Sequence, residues 1–208
     1  MKKLLTAAAL GLFCVSGMAQ EANKKEGFVF TVVKENPITS VKNQNRAGTC
    51  WCYSSLAFIE SELLRMGKGE YDLSEMFIVR QKYMNQLQDN YIRRGKGTLG
   101  QGSLTTAWKN AFNEVGIVPE EVYDGINYDS ATHNHGELAK WVKAVSDAAV
   151  EMKSPLKPEI VNGVMDAYLG EVPATFTYNG KEYTAESFAE ILIGNVRVNR
   201  NYSLADEI

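Results

Sequence analysis

The sequence predicts an α+β chain that is mostly helix, with one short β-hairpin near its C-terminus. Three observations carry this reading. Apolar residues recur at steps of three and four through most of the stretch from Trp51 to Leu169, the spacing of a helix with one buried face. These periodic segments are punctuated by Gly67, Gly95, Gly116 and Pro158, residue types that end or begin helices. A single Asn179-Gly180 pair lies between two short runs containing Phe176, Tyr178 and Tyr183, the signal of a two-residue hairpin. The bulk composition agrees, because 45% hydrophobic and 23% charged residues in 208 describe a globular chain and exclude a disordered one. Three cysteines are too few for a disulfide framework at this length.

Each element follows from local chemistry. Met1-Lys2-Lys3 is basic, residues 4–15 are apolar and a short small-residue stretch ends at Ala19-Gln20. A run of about a dozen apolar residues is too short to span a bilayer and fits a cleaved secretory signal over residues 1–20, so the mature chain is expected to be exported, periplasmic or secreted. Losing Lys2 and Lys3 takes the formal net charge from −3 to −5. An acidic chain without a basic patch offers nothing to nucleic acid, and no membrane contact is expected beyond export. Residues 28–33 are aromatic and β-branched and read as a buried strand. Residues 38–49, rich in Asn, Thr, Ser and Gly, read as a loop.

The first helix carries Cys52, Leu56, Ile59, Leu63 and Met66 on one face and closes at Gly67, a C′ glycine. A second opens with Ser74 as N-cap and carries Phe77, Met84, Leu87 and Tyr91. A third runs from about Ser103 to Val115, with Leu104, Trp108, Ala111, Phe112 and Val115 inward, and stops at Gly116. Residues 123–136 lack periodicity and contain Gly, Asn, Asp and both histidines, which reads as an extended surface loop. A fourth helix presents Leu138, Trp141, Val142, Val145, Ala149 and Met152, and a fifth starts with Pro158 at N1. The hairpin spans residues 176–183, and Thr184 caps a last helix over 185–193. The organisation expected is therefore a signal at 1–20, a helical subdomain at 21–123, a helical insertion ending in the hairpin at 124–183, and an incomplete segment at 184–208.

The chemistry concentrates in Asn43-Gln44-Asn45-Arg46-Ala47-Gly48-Thr49-Cys50-Trp51-Cys52. A cysteine on the first turn of an amphipathic helix, reached by a glycine-containing loop, sits where helix dipole and free N–H groups favour a thiolate. Cys50 is thus a candidate nucleophile. Gln44, six residues upstream, can direct its side-chain NH₂ at an oxyanion forming beside the sulfur, with the Cys50 N–H as the second donor. Cys52 lies on the apolar stripe and reads as core.

These residues resemble the papain-like cysteine peptidases, in which a Gln precedes by six residues a Cys-Trp pair that opens a central helix. Leu73-Ser74-Glu75 is similar to the start of that family's second helix. Gly100-Gln101-Gly102-Ser103 resembles the glycine turn that binds substrate backbone, and Gly116-Ile117-Val118-Pro119 resembles the segment after the third helix. The resemblance implies the helix-rich N-terminal half of a papain-like fold, with the β-rich second domain absent. It implies Cys50 and Gln44 as catalytic residues, Trp51, Gly100, Gln101 and Gly102 as substrate-binding residues, and peptides as substrates. Papain carries a further cysteine three residues before the nucleophile, disulfide-bonded to the glycine turn; Ala47 stands there here. That difference and the stretch 123–183 bring the chain nearer the bleomycin hydrolase and aminopeptidase C branch, whose members assemble as rings, so a homo-oligomer is an expectation. Neither a metal nor an organic cofactor is implied.

The same family supplies a His base and an orienting Asn at least about 130–150 residues after the cysteine. His133 and His135 are the last histidines of this sequence, and their polar loop reads as solvated, with Asp129 and Glu137 as solvated charges beside them. The chain is thus expected to be a fragment holding the nucleophile half, silent or nearly so alone. Two other readings stand beside this one. A degenerate peptidase half could bind peptides without cleaving them, or a helical structural protein could carry a fortuitous Cys-Trp.

Overall fold

The computed structural model describes residue 28 and residues 30–194. The signal expected at 1–20 and the tail after Gly194 lie outside them. The chain divides between Glu35 and Asn36 into two units. In the first, Phe28 and Phe30 set their rings 6.3 Å apart, and the described residues from 28 to 35 are exposed and irregular. The strand expected there is not formed by its described residues. β-branched composition favours a strand only when a neighbouring strand completes the ladder, and the sheet present among the described residues joins two other strands.

The second unit contains α1 (Cys50–Arg65), α2 (Glu75–Ile92), α3 (Thr105–Val115), α4 (Gly136–Met152), α5 (Pro158–Leu169), β1 (Phe176–Tyr178), β2 (Lys181–Tyr183) and α6 (Ala185–Ile193). Among the described residues this is helix-rich architecture with one two-stranded antiparallel sheet, the helical half of a papain-like fold. α2 packs on α1, α3, α4 and α5, and its first half is buried on nearly every side through Met76, Phe77, Ile78, Val79 and Tyr83. Burying each such side chain stabilises the fold by roughly 1.5–3 kcal/mol.

The ends obey the sequence signals. Ser74 caps α2, its hydroxyl accepting from the Phe77 N–H at 3.1 Å, and Gly67 follows the C-cap of α1 with φ 70°. Thr184 and Ser187 form a capping box at α6. Asn179 and Gly180 both adopt positive φ, 49° and 76°, the type I′ requirement, and pair Phe176 with Tyr183 and Tyr178 with Lys181. Phe188 of α6 is fully buried, with the rings of Phe176, Tyr178, Tyr183 and Tyr71 around it at centroid distances of 5.1–6.3 Å. Gly116 allows α6 to approach: at φ 76° a Cβ would lie 2.4 Å from the Ala185 carbonyl oxygen, to which the Ile117 N–H donates.

Four expected core positions face outward. Met66 is the C-cap of α1 and exposed. Leu104 is the N-cap of α3 and exposed, because a cap precedes the turn whose face is buried. In α4 the buried stripe is Leu138, Val142, Ser146 and Ala149, so Trp141 and Met152 fall outside it and are exposed. Trp141 and Glu137 lie near the Tyr168 hydroxyl on α5, whose pKa is raised by burial and by Glu137 against the pull of Trp141. Among the described residues no helix is long and apolar enough to cross a membrane.

Candidate active site around Cys50

Cys50 is the first residue of α1, follows the N-cap Thr49, and is exposed. The loop ahead of it is a set of short ties. Asn45 takes φ 50°, a left-handed conformation that Asn tolerates, and bonds Asn43 through both its N–H and its side chain. The Gln44 side-chain NH₂ donates to the Ala47 carbonyl at 2.8 Å, and the Ala47 N–H donates back to the Gln44 carbonyl at 3.2 Å. One amide hydrogen of Gln44 is thereby committed and its orientation fixed.

The glycine turn lies against this loop. The Gly48 N–H donates to Gln101 Oε1 at 2.6 Å, and the Trp51 indole N–H donates to the Gln101 carbonyl at 3.0 Å. Lys82 of α2 donates to the carbonyls of Gly100 and Gln101. Trp51 is buried, so it supports the turn from below. A Cβ at Gly100 or Gly102 would meet nothing within 4 Å, whereas one at Gly48 would lie 3.0 Å from Gln101 Cβ. A side chain at Gly48 would therefore crowd Gln101, which would have to give by a few tenths of an ångström, and the other two glycines leave room on an open side.

The two cysteines are both free and differ in every respect. Cys52 is fully buried, donates to the Glu75 carbonyl at 3.4 Å, and has its thiol pushed well up by burial and by the Glu75 charge. It is a core residue. Among the described residues no three His, Cys, Asp or Glu side chains are placed to hold a metal ion.

The histidine loop departs from the expectation of a solvated surface. His133 and His135 are buried because residues 133–135 pair with the cysteine loop: the Arg46 N–H donates to the His133 carbonyl at 3.0 Å and the His135 N–H to the Arg46 carbonyl at 3.3 Å. Arg46 and Asn134 form a parallel bridge. The His133 ring packs on Tyr53 of α1 and the His135 ring on Tyr83 of α2. Both nitrogens of His135, and Nδ1 of His133, are buried without a hydrogen-bond partner. Burial, then His133, then the Lys82 ammonium lower the His135 pKa to about 4. Lys82 itself is lowered by burial to about 8. The Cys50 thiol, by contrast, is exposed.

A second polar cluster was not singled out by the sequence. Lys42 Nζ lies 2.7 Å from Glu60 Oε1, 2.6 Å from Asp72 Oδ1 and 3.2 Å from Glu75 Oε1. Glu60 also accepts from the Thr39 hydroxyl and the Leu73 N–H. Burial raises Glu75 to about 7 against the pull of Lys42. Burial, Glu75 and Asp72 raise Glu120 to about 8. The one available signal was Glu60, an acid within a helix near the apolar stripe.

An exposed thiol at the head of a helix, set beside a glutamine loop and a glycine turn, defines a candidate thiol-hydrolase site on a helical half-fold. The family model for the papain family cysteine proteases matches residues 29–189, and the chain belongs to that family. It is 31% identical over 67 residues to viral cathepsin of Lymantria dispar multicapsid nuclear polyhedrosis virus, covering 32% of this chain and 19% of that protein. It is 26% identical over 153 residues to cysteine proteinase 1 of Entamoeba histolytica, covering 73% and 46%, and 29% identical over 98 residues to mouse cathepsin K, covering 47% and 26%. The structure of PepW from Lactobacillus rhamnosis superposes with a TM-score of 0.56 at 17% identity, covering 85% of this chain and 47% of PepW. The chain thus spans less than half the length of each of these proteins.

Proposed function

We propose that this chain carries the nucleophile half of a papain-like peptidase site. The Cys50 sulfur attacks a peptide carbonyl, forming a C–S bond, while Gln44 Nε2 and the Cys50 N–H hold the oxyanion. The C–N bond then breaks, the amine leaves with a proton, and water hydrolyses the thioester. Gly100 and Gly102 form the open wall along which substrate backbone lies. The observation that carries this reading is the exposed Cys50 on the first turn of α1, preceded by a glutamine whose amide is oriented by its own loop. No cofactor is required.

The general base, in this reading, comes from outside residues 28–194, since both histidines are buried against α1 and α2. The isolated chain is accordingly silent or nearly so, because the members of such a triad act as a unit. Ala47, in the place of the family's disulfide-forming cysteine, favours the bleomycin hydrolase and aminopeptidase C branch, exported by the leader at 1–20. The buried histidines equally favour a second reading, an exported module that binds peptides without cleaving them.

Iodoacetamide labelling of the purified chain, mapped by mass spectrometry, tests the nucleophile. Cys50 is expected to react at least about a hundredfold faster than Cys52, whose exposure requires opening of the core. Equal labelling of the two cysteines would remove Cys50 from the site. Turnover of a fluorogenic aminoacyl amide by this chain, lost in Cys50→Ala, would overturn the silence of the isolated half.

A further inference from the structure

We infer that Gln101 is the positioning residue of the Cys50 site: its side chain clasps the cysteine loop to the histidine loop, so it acts through the loop and not by touching substrate. The sequence placed Gln101 on the substrate wall by resemblance, yet its side-chain amide and its main-chain carbonyl bond to neighbouring loops and helices. Oε1 accepts from the Gly48 N–H at 2.6 Å, and Nε2 donates to the His135 carbonyl at 3.4 Å. The main-chain carbonyl accepts from the Trp51 indole at 3.0 Å and the Lys82 ammonium at 3.2 Å.

The two ends of the amide are fixed by what they meet. Gly48 offers a donor and His135 an acceptor, so only one orientation satisfies both. Glutamine is the required type, because a carboxylate lacks the donor and an aliphatic side chain lacks both. The absent Cβ of Gly48 belongs to the same device, since a Cβ there would press on Gln101 at 3.0 Å. Three segments far apart in sequence, the loop before Cys50, the glycine turn and the loop at 133–135, are thus joined by one side chain. Trp51 and Lys82 pin the backbone from which that side chain reaches. The inference rests on the reading of Cys50 as nucleophile only for its functional meaning; the clasp itself is tested separately.

The test uses the full chain and two variants, Gln101→Leu and Gln101→Glu, with residue-resolved amide hydrogen exchange as the first readout. In Gln101→Leu the Gly48 amide is expected to exchange about tenfold faster, the loss of one hydrogen bond, with α6 and the hairpin unchanged. Gln101→Glu keeps the acceptor and is expected to restore slow exchange at Gly48. Unchanged Gly48 exchange in Gln101→Leu, or equal acceleration throughout the chain, overturns the clasp. Should Gln101→Leu fail to fold, fast Gly48 exchange in Gln101→Glu overturns it equally. The second readout compares alkylation of Cys50 by a peptidyl chloromethyl ketone and by iodoacetamide. Gln101→Leu is expected to slow the peptidyl reagent about tenfold and leave iodoacetamide unchanged, as misplacement of a still accessible thiol requires; equal slowing of both reagents overturns the positioning role. A native chain that shows no preference for the peptidyl reagent overturns the nucleophile reading, and the exchange result then decides the clasp alone.

Discussion

His135 is the residue whose environment departs furthest from its composition. A histidine in an unfolded chain titrates near 6.5, whereas burial beside His133 and Lys82 holds His135 to about 4. Between those values the unfolded chain takes up a proton that the folded chain refuses. The stability associated with neutral His135 is therefore complete above pH 6.5 and lost as pH falls toward 4, by up to about 3 kcal/mol. His135→Phe, which fills the site without a titrating group, is expected to lose less stability than the native chain between pH 7 and 4.5 in urea melts. An identical acid slope in the two proteins would show that the imidazole does not set it. That Cys50 opens a helix was legible in the sequence because its signal is local, a glycine-containing loop running into an apolar stripe. The burial of His133 and His135 was not, because it depends on backbone pairing with Arg46, a partner that no periodicity of residues 123–136 announces.

At the scale of elements, the segment at 39–42 is fastened to α1 and α2 by the Lys42 ammonium, with the Thr39 hydroxyl as a second tie to Glu60. Burial works against the Lys42 ammonium, but Glu75, Asp72 and Glu60 together shift its pKa upward. Lys42→Met would leave the buried Glu60 and Glu75 without their cation, a loss of about 3–5 kcal/mol. Lys143→Met, at the exposed Lys143–Asp147 pair on α4, is expected to change stability by no more than about 0.5 kcal/mol. Urea midpoints of the two variants provide the comparison, and equal effects would refute the buried latch. The carboxylates add an opposite pH dependence. Glu75 and Glu120 keep their protons to about 7 and 8, above their unfolded value near 4.3, so their contribution is present at low pH and is lost as pH rises through 7–8. Glu120→Gln should reduce the loss of stability between pH 6 and 9 by more than about 1 kcal/mol, read from thermal or urea melts at the two ends. Helix ends, capping residues and the hairpin were legible because Ser74, Pro158, Asn179-Gly180 and Thr184 act on their immediate neighbours. The strand at 28–33 and the inward placement of Leu104 and Trp141 were misread because hydrophobicity alone does not specify a partner surface.

For the molecule as a whole, the α1–α3 seam is the surface to watch. Ser55 bonds Thr105 across it, and Phe58 and Leu104, one turn and one residue away, are 64% and 73% exposed. Ile38 and Val41 are exposed as well. Apolar side chains in such company favour association, so the purified chain is expected to elute above monomer size in sizing chromatography. The pair Phe58→Ser and Leu104→Ser should shift it toward monomer; a native chain that stays monomeric for days would refute the expectation. The bridge between Arg46 and Asn134 also bears on synthesis. Translation delivers the cysteine-bearing helix long before its bracing loop, so a nascent chain holds Cys50 on an unfinished support until residues 133–135 leave the ribosome. A stalled translation product ending before Asn134 therefore carries the Cys50 thiol on a loop that lacks this brace.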